Sequence, residues 1–234
     1  MSDTNVKKRV IIGLPGSSFS NSFLISWTRC LYALWESNKY DVVIAPGSSS
    51  FVSFARMKTM GLDVLRGKDQ KPFNGMAYDV FLTLDSDMVF TADQIIELIE
   101  STETHPVVAG VYMMADCTHL AVVKDWDVAY YAEHGTFQFM TPDDLANIHK
   151  MTNAKYIPVS YVGMGFMAMR REVLDNLSYP YFHSDLQRMT KGDGTEIVEM
   201  CSEDVSLCKN IQAAGYTIYV HANIRVGHCK EVVI

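Results

Sequence analysis

Short apolar runs alternate with amphipathic stretches along the first half of the chain. Residues 10–14 form an apolar run that follows a basic start and stops at Pro15-Gly16. This reads as a first strand with a loop at its carboxyl end. Ser17, Ser18 and Ser20 then offer N-cap oxygens, and Phe23, Trp27, Leu31 and Leu34 recur at intervals of three and four. That spacing predicts an amphipathic helix ending near Asn38. Residues 41–45, closed by Pro46-Gly47, predict a second strand. Ser48, Ser49 and Ser50 can cap a second helix that carries Phe51, Phe54 and Met57 and stops at Gly61. The polar stretch 66–75 reads as a loop.

Residues 79–84 are almost wholly apolar, as a strand covered on both faces should be. Thr91 and Gln94 have capping-box spacing, with Ile95, Leu98 and Ile99 as the inner face of the helix they start. Residues 106–112 predict a fourth strand. The stretch 113–155 is the least periodic. It carries one short helix, with Thr141 as cap and Pro142 at its first position, and reads as an elaborated or mobile region beside a site. A strand at 165–169 and a helical start at 171–177 follow. A helix then begins at about Asp204, with Val205, Leu207, Cys208 and Ile211 inward and Gly215 as its stop. Residues 216–220 predict a last strand. Strand–helix alternation of this kind predicts an α/β fold, a mostly parallel sheet with helices on both faces.

The chain has 234 residues, enough for one domain that buries roughly 70% of the surface of its unfolded chain. Hydrophobic residues make up 48% and charged residues 20%, which argues against disorder. The net charge of -7 disfavours a nucleic-acid partner. Five cysteines without CxxC spacing suggest free thiols rather than a disulfide framework or a four-cysteine zinc site. The start of the chain does not read as a signal peptide, and no apolar run approaches the ~20 residues of a membrane span. The expectation is a cytoplasmic protein.

Asp85-Ser86-Asp87 ends the buried third strand. Side chains at i and i+2 of an extended segment share a side, so the two carboxylates can converge. They stand where ligands sit in open α/β sheets, beyond the carboxyl ends of strands. Two such carboxylates repel unless a cation joins them, and Mg2+ or Mn2+ is the natural partner. The plainer alternative is that the acids cap a strand and start a turn. Glu203-Asp204 opens the late helix; the pair either complements the positive helix end or supplies a general base. His228 is a candidate nitrogen ligand if the C-terminus returns to the Asp85–Asp87 edge. Pro15-Gly16-Ser17 has no phosphate-loop pattern but could line a nucleobase pocket. Gly163-Met164-Gly165 is either a turn or a place of close backbone approach to a sugar. Arg56 is either solvated or faces a phosphate.

Thr83-Leu84-Asp85-Ser86-Asp87 resembles the Asp-x-Asp motif of nucleotide-sugar glycosyltransferases of the GT-A fold. Glu203-Asp204-Val205-Ser206-Leu207, with Gly215-Tyr216 after it, resembles the Glu-Asp-x-x-Leu helix of inverting members. The resemblance spans almost the whole chain. Its size is similar to that of small glycosyltransferases of large algal (chlorella-type) DNA viruses, which would imply the host cytoplasm. The resemblance implies one glycosyltransferase domain over 1–234, with a nucleotide-binding half at about 1–112 and an acceptor-binding, catalytic half at about 113–234. It implies metal ligation by Asp85, Asp87 and His228, and donor contacts from Pro15, Gly16, Ser17, Arg56, Asp85, Ser86, Gly163 and Gly165. Asp204 would be the base, with Glu203 supporting it or touching the acceptor.

The implied reaction moves a hexose from a GDP- or UDP-linked donor, with Mn2+ or Mg2+, to a glycan or other hydroxyl acceptor. The Gln-x-x-Arg-Trp signature of processive synthases is absent. Two other readings stay open: a sugar-phosphate nucleotidyltransferase, which would carry a basic Gly-rich loop after its first strand, and an inactive nucleotide-sugar-binding protein. Oligomeric state is open, a homodimer included.

Overall fold

The computed structural model describes residues 6–230; the extreme N-terminal residues that bear on the leader reading lie outside them. The chain opens with β1 (Lys8–Pro15), α1 (Asn21–Glu36), β2 (Tyr40–Gly47) and α2 (Val52–Thr59). After two single 3-10 turns come β3 (Val80–Leu84), β4 (Met88–Val89), α3 (Ala92–Ser101) and β5 (Val107–Val111). The middle holds β6 (Val122–Val123), α4 (Val128–His134), α5 (Pro142–Thr152), β7 (Tyr156–Val159) and β8 (Tyr161–Val162). The last part holds β9 (Phe166–Arg170), α6 (Arg171–Asp175), the hairpin β10 (Leu186–Thr190) and β11 (Glu196–Met200), α7 (Glu203–Ala213), β12 (Ile218–Arg225) and β13 (Gly227–His228).

One seven-stranded sheet orders these as β2-β1-β3-β9-β5-β12-β7. Five strands run one way; β9 and β7 run against them. The sheet is therefore mostly parallel, as predicted, and it interleaves strands from both halves of the chain. Residues 80–84 and 107–111 are buried throughout, because helices cover both faces of the centre. On one face α1 and α3 contribute Phe23, Cys30, Leu34, Ile95, Leu98 and Ile99 against Val10, Ile12, Leu82 and Leu84. On the other, α2, α5, α6 and α7 bring Met57, Leu145, Leu174 and Leu207 against Ile11, Phe81 and Ala109. Each fully buried Leu, Ile or Phe contributes ~1.5–3 kcal/mol, so this double-sided core dominates stability.

Several local readings hold. Ser20 caps α1 by accepting the Phe23 amide hydrogen; Thr91 and Gln94 close a reciprocal capping box. Thr141 caps α5 with Pro142 in its first turn. Others are corrected. The buried face of α1 is Phe23, Ser26, Cys30 and Leu34, because the Ser26 hydroxyl is drawn in to accept the Phe90 amide hydrogen at 3.1 Å. In α2, Phe51 and Phe54 face solvent, 67% and 51% exposed. The helix instead turns Arg56 inward, toward two carboxylates. Residues 113–155 hold β6, α4 and α5 and bury Leu120, Val122, Val123, Met140 and Leu145 in the core, so the region is an elaborated part of the fold.

Candidate active site

The site forms where β1 and β3 end and the C-terminus returns. Beyond Leu84 the chain leaves the sheet, and the Met88 amide donates to the Asp85 carbonyl at 3.2 Å. This turn overrides the alternation expected of an extended segment. Asp85 and Asp87 therefore point to different partners. Arg56 faces Asp85 with both terminal nitrogens, Nη1 at 3.0 Å from Oδ1 and Nη2 donating to Oδ2 at 3.1 Å. Its Nε also donates to Glu203 Oε1 at 3.4 Å. One buried guanidinium thus joins the two acidic motifs, which lie 118 positions apart (203 − 85) in the sequence. Burial opposes its charge, but Asp85 and then Glu203 outweigh burial and raise its pKa, so it stays ionised.

Asp87 meets the C-terminal segment. Strand β13 pairs antiparallel with β4, setting His228 opposite Met88, and the Cys229 amide donates to the Asp87 carbonyl at 2.8 Å. His228 Nε2 stands 3.1 Å from Asp87 Oδ2, and Lys230 Nζ donates to the same oxygen at 2.8 Å. His228 Nδ1 donates to the Met113 carbonyl at 2.8 Å, and Tyr112 packs edge-on against the ring at 5.0 Å. That backbone bond fixes the tautomer whose Nε2 carries a lone pair when the ring is neutral. The return of the C-terminus that a ligand role for His228 required is present.

Among the described residues no three His, Cys, Asp or Glu side chains are grouped closely enough to hold a metal alone. The structure brings Asp87 and His228 together and engages Asp85 with Arg56. A carboxylate and an oriented imidazole fit a Mg2+ or Mn2+ ion of the kind that completes its shell with water and substrate phosphates.

A cavity of about 330 Å3 opens beside these groups, lined in part by Pro15, Gly16, Arg56, Asp85, Ser86 and Asp87. Gly16 has φ +134, a conformation L side chains rarely adopt, and a Cβ there would lie 3.2 Å from Ser86 Oγ. Ser17 is exposed and is not among the residues lining the cavity. The cavity also takes walls from Ser49, Ser50, Val52 and Ala55, which the sequence reading assigned to a cap and a helix rather than to a site.

Gly163 and Gly165 are buried. A Cβ on Gly163 would lie 2.2 Å from the Tyr112 hydroxyl, and one on Gly165 2.6 Å from Met88 Cε. The close approach that these glycines permit is made by protein side chains, and the Tyr112 hydroxyl accepts the Gly165 amide hydrogen at 3.1 Å. They shape the site from behind.

Asp204 lies one residue beyond the Arg56-bound Glu203, at the start of α7. The Tyr161 hydroxyl donates to its Oδ2 at 2.7 Å, and the Ser202 hydroxyl and the Val205 amide (2.9 Å) donate to Oδ1. Burial and then Asp204 push the Tyr161 hydroxyl far above its usual range, so it remains a donor. Ser202, not Asp204, occupies the N-cap position of α7. Tyr161 left no signal in the sequence. Lys230 did leave one: it follows His228 at i+2, the spacing used to read Asp85 and Asp87.

Compared with protein-family models and with curated proteins, the sequence matches none. Solved structures do resemble it. GalNAc-T7 with UDP, GalNAc and Mn2+ superposes over 98% of this chain with a TM-score of 0.55 at 11% identity. The fold is GT-A. The chain spans only 44% of GalNAc-T7. Weaker likenesses are A197 from STIV (TM-score 0.49, 18% identity, 97% of this chain and 87% of that one) and glucosyl-3-phosphoglycerate synthase from Mycobacterium tuberculosis with Mn2+, UDP and phosphoglyceric acid (TM-score 0.46, 12% identity, 96% and 72%). No helix among the described residues is long and apolar enough to cross a membrane.

Proposed function

We propose that this chain is an inverting, metal-dependent glycosyltransferase that moves a hexose from a GDP- or UDP-linked donor to a hydroxyl acceptor. The observation that carries the reading is the meeting of Asp87 and His228 at 3.1 Å on the lip of the cavity formed by Pro15, Gly16 and Ser86. The GT-A fold supports it, as does the superposition on GalNAc-T7, a protein solved with UDP, GalNAc and Mn2+.

In this reading Pro15, Gly16 and Ser86 receive the nucleoside. Asp87 and His228 would hold Mn2+ or Mg2+, which would supply Lewis-acid stabilisation of the diphosphate leaving group. Lys230, whose Nζ donates to Asp87 Oδ2, adds a positive charge beside it. Arg56 holds Asp85 and Glu203 in place between the donor and acceptor sides. Asp204 accepts the proton of the acceptor hydroxyl as that oxygen attacks the anomeric carbon from the face opposite the leaving group. Tyr161 and Ser202 hold its carboxylate in one orientation, and the Val205 amide at the start of α7 donates to it as well.

The test is transfer by Asp204→Asn, which keeps size and most hydrogen bonds but removes the proton acceptor. With wild-type protein, Mn2+ should be required for nucleoside diphosphate release from a sugar donor. Asp204→Asn should bind donor and Mn2+ normally and transfer at least ~100-fold more slowly. Transfer at more than about a tenth of the wild-type rate would move the base elsewhere, with Glu203 the next candidate.

A further inference from the structure

A second, smaller cavity lies between the segment before α4, strand β10 and the outer side of α7. Its volume is about 200 Å3. Trp126, Tyr131 and Phe137 give it an aromatic wall, with the Trp126 and Phe137 rings 5.1 Å apart and Tyr131 and Phe137 4.7 Å apart. Met189 completes the apolar side. Two polar residues also line this mostly apolar space. Gln187 lines it, and its side-chain Nε2 is buried without a hydrogen-bond partner. Lys209 lines it too, its Nζ 5.4 Å above the Trp126 ring and without an ion-pair partner among the described residues. Trp126 is anchored, its Nε1 donating to Gln212 Oε1 on α7 at 3.0 Å.

Flat aromatic faces beside unspent polar groups suit a ligand with apolar C–H faces and a polar rim. A sugar ring has that composition. The placement relative to the proposed base is also specific. Tyr161, which donates to Asp204, packs 6.2 Å from Trp126 between ring centroids, and Lys209 stands on the helix that Glu203 and Asp204 begin. Trp126 therefore lies one aromatic ring removed from the base, too far to hold the reacting sugar and close enough to hold its neighbour.

We infer that the Trp126–Gln187–Lys209 cavity is an acceptor subsite that takes the second sugar of a glycan at least two residues long. This rests on the glycosyltransferase reading and narrows its acceptor from any hydroxyl compound to an oligosaccharide. Gln187 and Lys209 would meet ring hydroxyls or a ring carboxylate, and Trp126 the ring face.

The experiment is saturation-transfer NMR on the full chain with a panel of neutral, amino-sugar and uronic-acid mono-, di- and trisaccharides, beside calorimetric titration with GDP and UDP in Mn2+. Wild-type protein should bind at least one di- or trisaccharide more tightly than its component monosaccharides. Trp126→Ala should weaken that binding about tenfold or more while nucleotide binding is unchanged. Because Trp126 also anchors α7, Gln187→Leu and Lys209→Ala serve as variants that spare the aromatic cluster; each should weaken oligosaccharide binding several-fold. Oligosaccharide binding untouched by all three substitutions, or wild-type protein that binds nucleotide but no oligosaccharide, would overturn the subsite. Oligosaccharide binding lost in these variants, in a protein that binds neither GDP nor UDP in Mn2+, would keep a sugar-binding site here and defeat the glycosyltransferase reading instead.

Discussion

Asp87 and His228 set each other's charge. Burial lifts the Asp87 carboxyl, but hydrogen bonds from His228 and Lys230 outweigh burial and hold it at about 2. The bond to Asp87 raises His228 above its ordinary value, against burial. The signs differ. Asp87 stabilises the fold above the ordinary carboxylate range and loses that contribution as pH falls toward 2. His228 stabilises it fully below ~6.5 and loses that contribution as pH rises through its raised value. A metal needs the neutral imidazole. Mn2+ affinity should therefore increase as pH rises above ~6.5 and then level off, and His228→Ala should bind weakly with a flatter profile. Calorimetry across pH 6 to 9, in steps of about half a unit, checks this; a flat wild-type profile would place the metal away from His228. The identity of these residues was legible because acids at a strand end and a late histidine carry chemistry. Their pairing was not, because a turn at Ser86-Asp87 breaks the alternation and the partners of Asp85 and Asp87 come from α2 and β13.

The loop between β8 and β9 shows how an element's shape depends on a distant side chain. Gly163 and Gly165 stand out in the sequence, yet the reason for them, Tyr112, sits at the end of β5. Gly163→Ala would drive a methyl group into the Tyr112 hydroxyl, which is 2.2 Å from the ideal Cβ position. The expected cost is ~1–3 kcal/mol, read by urea unfolding. Tyr112→Phe alone should also destabilise, since it leaves the Gly165 amide unpaired. The double variant should cost less than the sum, because the clash and the hydroxyl are removed together. Strict additivity would show that Tyr112 is not what requires glycine here. The starts of helices with strong caps, such as α3 and α5, were legible. Helix α2 was placed to within a residue or two at both ends, but its inner face was only partly legible: Met57 is buried as expected, while Arg56 rather than the phenylalanines joins it.

At the scale of the molecule, the sequence carries the alternation of strands and helices, and hence the α/β class, but not the order of the strands. β9 runs antiparallel between β3 and β5, a pairing over more than 50 positions at its β5 register (169 − 107 = 62) that no local pattern announces. The polar hairpin β10–β11 escaped because Arg188, Thr190, Glu196 and Glu199 dilute its apolar positions. On the proposed reading, a divalent ion on Asp87 and His228 secures the donor diphosphate. Titrating GDP and UDP into wild-type protein and Asp87→Ala, with and without Mn2+, tests it directly. Wild-type protein should bind one of the two nucleotides much more tightly with Mn2+ than without, and Asp87→Ala should lose most of that gain while remaining folded. Mn2+-dependent affinity that is unchanged in Asp87→Ala would contradict the claim.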